Sequence, residues 1–252
     1  MSIENHFPGR AHNVAQIGEV GTINVHQKPK RTKLFVIGYV VALLAVFGGV
    51  GAYFLTRPQP LEMAADYHRE AELPAAVHPR PLGRTEFPSD KDCRAVAGWA
   101  VEQGGARASG QPVRLWMRGR GVDVNRISVV VTERLEPPAG TLLRCVSSGS
   151  NPTVKLKVDL DSDQPIVRDS GSGKIYAADS AITLNNEAMF FDIEPTTVKC
   201  LCRWHIEVEH YAGGRLVTTE VKAPGDKPFE TAATTRVVRA YSALGSMWSQ
   251  ER

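Results

Sequence analysis

The chain has 252 residues, a formal net charge of +3, 42% hydrophobic residues and four cysteines. So small a positive excess excludes the strongly basic surface of a nucleic-acid binder. The length allows one or two globular units.

Residues 1–27 are polar, with apolar positions in alternation at Asn13-Val14-Ala15-Gln16 and Asn24-Val25-His26. This pattern predicts either a polar tail without regular structure or short strands with turns at Gly18 and Gly21. The pieces Asn5-His6-Phe7-Pro8-Gly9, Ala15-Gln16-Ile17-Gly18 and Ile23-Asn24-Val25-His26 together resemble a short element at the N-termini of diverse proteins of high-GC Gram-positive bacteria. Its form is Asn-x-Phe/Ile-x-Gly, then Val-x-Gln-x-Gly, then Ile-x-Val-His. The resemblance implies an adaptor or assembly segment that pairs strand to strand with another copy or a partner, and it implies no chemistry.

Leu34 to Leu55 carries no charge and consists of Gly, Ala, Val, Leu, Ile, Phe and Tyr. At about 1.5 Å per residue this run reaches about 33 Å as a helix, the thickness of a hydrocarbon core, and it predicts a membrane span over 34–55. It is longer than the apolar region of a cleaved signal and is followed by Thr56-Arg57-Pro58-Gln59-Pro60, so an uncleaved anchor is expected. Lys28, Lys30, Arg31 and Lys33 lie directly before the span, whereas Arg57 and Arg69 beyond it are accompanied by Glu62, Asp66 and Glu70. The positive-inside rule then puts residues 1–33 in the cytoplasm and the C-terminal part outside the cell membrane. Gly38, Gly48, Gly49 and Gly51 offer a close-packing face for a second copy of the span.

Beyond the span, Met63, Ala64, Ala65, Tyr67 and Ala71 among charges predict a short juxtamembrane helix over 61–72. Pro74, Pro79, Pro81 and Pro88 predict a stiff linker, so that 56–88 holds the folded part off the bilayer. From 89 to 240 the pattern has period two, the mark of strands buried on one face. Val113, Leu115 and Met117 are followed by Ile127, Val129 and Val131, and then by Val154, Leu156, Val158 and Leu160. Shorter candidates follow at 175–177, 181–184 and 188–193. The longest run, 198–211, has the inward set Val198, Cys200, Cys202, Trp204, Ile206 and Val208, and Gly213-Gly214 turns it into a partner strand at 215–221. The expected fold is mainly β: one transmembrane helix followed by an antiparallel immunoglobulin-like β-sandwich, with 241–252 as a short helix or tail.

All four cysteines, Cys93, Cys145, Cys200 and Cys202, fall beyond the span, where an oxidising compartment lets them pair. Two residues apart in an extended strand, Cys200 and Cys202 would sit roughly 6 to 7 Å apart at Cα, an awkward span for a mutual bond. Each is therefore expected to bond Cys93 or Cys145, with the order of pairing open.

Few residues suggest chemistry. Asp159, Asp161 and Asp163 begin like a calcium loop, but Gln164 and Ser170 stand where Gly and Glu are required. Gly171-Ser172-Gly173-Lys174 lacks the first Gly and the final Ser/Thr of a phosphate loop. His205, Glu207 and Glu209 share an outward face with no second cluster to complete a metal site. The chain holds no Gly-x-Ser-x-Gly and no His-Glu-x-x-His. No enzyme activity, cofactor or metal is expected. The reading is a membrane-anchored binding or sensing module for a protein or envelope partner, with a structural envelope component as the alternative and a membrane-associated hydrolase behind it. Homo-oligomers are expected to form through the N-terminal segment or the span.

Overall fold

A computed structural model describes residues 59–67, 74–88, 92–145, 153–176, 182–244 and 247–251. The span at 34–55, the N-terminal segment and Lys28, Lys30, Arg31 and Lys33 lie outside the described residues. Among the described residues no helix is long and apolar enough to cross a membrane.

The architecture is organised by one strand, β4 (Val113–Leu135), 23 residues long. Straight, it would extend about 75 Å, far more than one layer of a small domain, so it must bend. Its first half pairs antiparallel with β1 (Gln59–Tyr67) and with β8 (Ile182–Thr196), and its second half pairs antiparallel with β9 (Leu201–Ala212). The buried positions along β4 change parity twice: Val113, Leu115 and Met117, then Val122 and Val124, then Ile127 and Val129. A one-residue slip turns a strand inside out, and register shifts next to Arg120 and Arg126 supply the extra residues that keep the apolar side inward. Gly121 takes φ +63° at this bend. At Gly119 a Cβ would meet Val122 at 3.0 Å.

The inward faces of these strands meet in one core. It joins Leu115, Met117, Leu156, Phe191 and Ile193 to Trp204, Ile206, Val208 and Phe229. Tyr67, at the end of β1, ties β1 to the strand at 229–232: its ring meets Phe229 edge-on at 5.5 Å. Its hydroxyl donates to Glu230 O at 3.0 Å and accepts from Glu230 N at 2.7 Å. Burial pushes the Tyr67 hydroxyl up to about 12, opposed by the backbone bond to Glu230. Arg107 sits 5.1 Å from the centre of the same ring, and burial lowers its guanidinium.

The sheet continues into a second lobe. β9 pairs with β11 (Phe229–Ala232), then come β3 (Ala106–Ala108), β2 (Ala75–His78), β5 (Thr141–Cys145), β12 (Arg239–Leu244) and β13 (Met247–Gln250). Helix α1 (Cys93–Glu102) covers one face of this lobe. Asp92 caps it, accepting from Ala95 N at 2.8 Å, and Cys93, Val96, Ala97 and Ala100 form its buried stripe. The helix stops at Gly104, where φ is +86°. At the next residue, Gly105, a Cβ would lie 2.4 Å from Val77 O, so only glycine fits.

The mainly β expectation holds, but four finer expectations are corrected. The sheet is mixed rather than antiparallel throughout: β11 with β3, β12 with β5, and β6 (Val154–Asp159) with β8 are parallel pairs. The expected juxtamembrane helix is strand β1 at Gln59–Tyr67, because Leu61, Met63, Ala65 and Tyr67 alternate against β4 and pairing outweighs the helix propensity of Ala and Met. Within the expected proline linker, β2 is wholly buried and Leu82 and Phe87 enter the second core. The expected tail forms the β12–β13 hairpin, in which Trp248 packs on Phe87.

Candidate binding groove

The β9 strand turns at Gly213 (φ +57°) and Gly214 (φ +77°) into β10 (Arg215–Val221). Positive φ at both central residues matches the right-handed twist of the flanking strands. β10 pairs with β9 on one side, and among the described residues no strand pairs with its other side. Among the described residues β1 likewise pairs with β4 alone. Between the two edges runs an open groove of about 550 Å³, with Leu61, Met63 and Ala65 from β1 facing Thr219 and Val221 from β10.

The outer part of β10 is exposed and apolar. Leu216 is 52% exposed and Val217 40%, and Leu216 lies opposite the 45% exposed Tyr211. No charge interrupts Leu216 to Thr219. Edge strands are usually blunted by charge, proline or a bulge, so this stretch is an unprotected pairing surface. Charges gather at the other end. His205 Nδ1 lies 3.2 Å from Glu220 Oε1, and Lys222 Nζ lies 3.3 Å from Glu220 Oε1 and 3.5 Å from Asp226. The hydrogen bond to Glu220 holds the Lys222 ammonium above its usual range. A partner entering the groove therefore meets an apolar floor and an acidic-basic rim.

The second cluster lies at the start of β9. Disulfides join Cys93 to Cys145 and Cys200 to Cys202, and no described cysteine is free. This corrects the expectation that Cys200 and Cys202 would each bond one of the other pair. The reason is local: β9 begins at Leu201, and Cys200 lies in a bend that brings the two Cα atoms to 5.3 Å, shorter than an extended strand allows. Thr197 holds this bend, accepting from Cys200 N at 3.3 Å and donating to Asp161 at 2.7 Å, while Asp161 also accepts from Val198 N at 2.7 Å. Val198, expected inward, is instead 62% exposed. Asp161, Cys200 and Cys202 are the one group of potential metal ligands that converges among the described residues, but the two sulphurs are bonded to each other and offer no thiolate.

The remaining singled-out residues scatter. Asp159 accepts from Asp161 N and Asp161 turns toward Thr197, so the alternating carboxylates shape a turn. Asp169 accepts from the backbone of Ser172 and Gly171, and the Ser172 bonds hold its carboxyl below the usual range. That turn is the structure of the Gly171–Lys174 stretch. His205 and Glu207 meet at 3.7 Å, whereas Glu209 engages Asn125 and Arg126. His210 is buried, its Nε2 lies 3.0 Å from Thr219, and burial lowers its imidazole.

Sequence reasoning missed Thr197 and the β1 side of the groove. For β1 the signal was present in the alternation of Leu61, Met63, Ala65 and Tyr67; for Thr197 there was none. No protein-family model, curated protein or solved structure matches this chain.

Proposed function

We propose that the chain is a single-pass membrane protein that presents its β-domain outside the cell to bind an extended peptide segment of an envelope partner along β10, without catalysis. The carrying observation is the open β10 edge with its exposed Leu216 and Val217, beside the groove formed with β1. Added strands gain affinity from main-chain hydrogen bonds and specificity from alternate side-chain pockets, and here Leu61 and Met63 line such pockets. The two-layered lobe around Trp204 serves as an immunoglobulin-like scaffold in its layering, though not in its strand directions. The apolar run at 34–55 and its basic flank support the anchor and its orientation, and two disulfides beyond the run support an oxidising location.

Panning a displayed peptide library against the full chain tests this reading. Extended peptides should be enriched and should lose at least about tenfold in affinity to the variant Thr218→Pro, which removes an N–H from the open edge of β10 and leaves the bonds to β9 in place. Peptides that bind wild type and variant equally would overturn the assignment. The structural-component alternative predicts instead that β10 pairs with its own copy, read as a concentration-dependent dimer abolished by the same substitution.

A further inference from the structure

We propose that the Cys200–Cys202 pair is a redox site that exchanges with low-molecular-weight thiols, rather than a structural staple. As a staple the bond is redundant. Cys202 is held by its register opposite Arg134 on β4 and Thr231 on β11. The bend before it is held by Thr197, Asp161 and the bond from Ala233 N to Cys200 O. Its partners fit exchange chemistry. Thr197 Oγ1 lies 3.3 Å from Cys200 Sγ and 3.8 Å from Cys202 Sγ, and Asp161 Oδ1 lies 3.8 Å from Cys200 Sγ. Both newly formed thiols therefore have an oxygen acceptor in place. The Cys93–Cys145 pair has the opposite surroundings, lying among Ala76, Leu82, Phe87, Val96 and Trp248. Both pairs are buried; Cys200 directly follows the exposed Val198 and Lys199, and the proposed exchange runs through local opening of this bend.

The exchange balances without a further reactant. A small thiolate attacks Cys200 Sγ, a new S–S bond forms there, the Cys200–Cys202 bond breaks, and the electron pair leaves on Cys202 Sγ beside the Thr197 hydroxyl. A second thiolate then attacks the small molecule's sulphur in this mixed disulfide and releases Cys200. Two thiols become one small disulfide, and their two electrons and two protons pass to the protein pair. The Cys200 thiol then donates to Asp161 or Thr197.

The test is a titration of the full chain in buffers of reduced and oxidised glutathione, quenched by alkylation and read by mass spectrometry for each cysteine. Hydrogen bonds of ordinary strength to the new thiols move the equilibrium about tenfold. The Cys200–Cys202 pair should therefore be half reduced at a value of [GSH]²/[GSSG] about tenfold below that needed for Cys93–Cys145. Coincident or reversed midpoints would overturn the proposal. Asp161 is assigned a positioning role, and the charged groups on the surrounding elements are Asp159 at the end of β6, Asp161 and Asp163 after it, Lys199 in the bend, Arg134 on β4 and Glu230 on β11. In the reduced protein, Asp161→Asn should move the pH midpoint of Cys200 alkylation downward and leave that of Cys93 in place, because a carboxylate no longer opposes the thiolate. An unchanged midpoint would remove Asp161 from the site, while the wild-type titration stands whether or not the variant folds.

Discussion

Replacing both cysteines of one disulfide by alanine separates the two bridges by their mechanical contribution. The Cys93–Cys145 bond spans 52 residues of sequence and Cys200–Cys202 spans 2. With the chain-entropy relation, closing the longer loop restricts the unfolded chain by about 4 kcal/mol and closing the shorter one by about 1 kcal/mol. The first bond also pins the N-terminus of α1 to the end of β5, the junction on which the second core is built. The double variant Cys93→Ala with Cys145→Ala should thus lose about 3 kcal/mol more than Cys200→Ala with Cys202→Ala, both lacking the same atoms. In a domain of this size that difference corresponds to about 6 to 12 °C in melting temperature. Differential scanning calorimetry of the full chain, with urea unfolding as a second probe, reads it. Equal losses, or a larger loss at Cys200–Cys202, would refute the reasoning and return the second bond to a structural role.

Trp204 is fully buried, tilted against Phe229 at 4.9 Å, and its Nε1 donates to Thr231 Oγ1 at 3.0 Å. Trp204→Ala should cost about 3 to 5 kcal/mol in urea unfolding, with Trp204→Phe costing less because only the hydrogen bond and part of the volume are lost. Because the Tyr67 hydroxyl is pushed up to about 12 in the fold from an ordinary value of 10.0, the unfolded chain gives up this proton first. The Tyr67 contribution is complete below pH 10.0 and lost as pH rises toward about 12, so the stability gap between wild type and Tyr67→Phe should narrow over that window; a constant gap would contradict the shift. Leu216→Lys with Val217→Lys places charges on the open edge without touching a buried group, and should leave melting within about 0.5 kcal/mol of wild type while abolishing peptide capture.

Where burial alternates along a strand the fold was legible. Val113, Leu115 and Met117, Leu156 and Val158, and Cys202, Trp204, Ile206 and Val208 are all buried as the period of two required. Features that depend on distant pairing were not. Ala75 to His78 has two alanines and follows a proline, and only its neighbours β3 and β5 make it a central strand. Helix α1 buries Cys93, Val96, Ala97 and Ala100, small side chains whose stripe carries little contrast. The disulfide order was not legible, because the local pattern implies extended geometry at Cys200, whereas Thr197 and Asp161, 36 residues apart in sequence, bend the chain there. The open edge of β10 was partly legible: Gly213-Gly214 announced the hairpin, but only the sheet topology shows that nothing described pairs beyond it.

The two proposed sites share one strand, and the way β9 is held bears on whether they communicate. From Cys202 to Tyr211 is nine residues of strand, about 30 Å at the usual rise. Along that length the inward residues Trp204, Ile206 and Val208 are fully buried, and β4 pairs with one side as far as His210. On the other side β11 gives way to β10 near His205, where Glu207 and Glu220 meet the imidazole. A strand paired on both edges and packed underneath lacks the second discrete arrangement that coupling requires. Reduction of Cys200–Cys202 should therefore leave peptide affinity at β10 unchanged within about twofold, as should the Cys200→Ala and Cys202→Ala pair, when binding is compared in oxidised and reduced buffer by calorimetry. A change of tenfold or more on reduction would show that β9 does have two states, with the His205–Glu220 junction as the place to look for them.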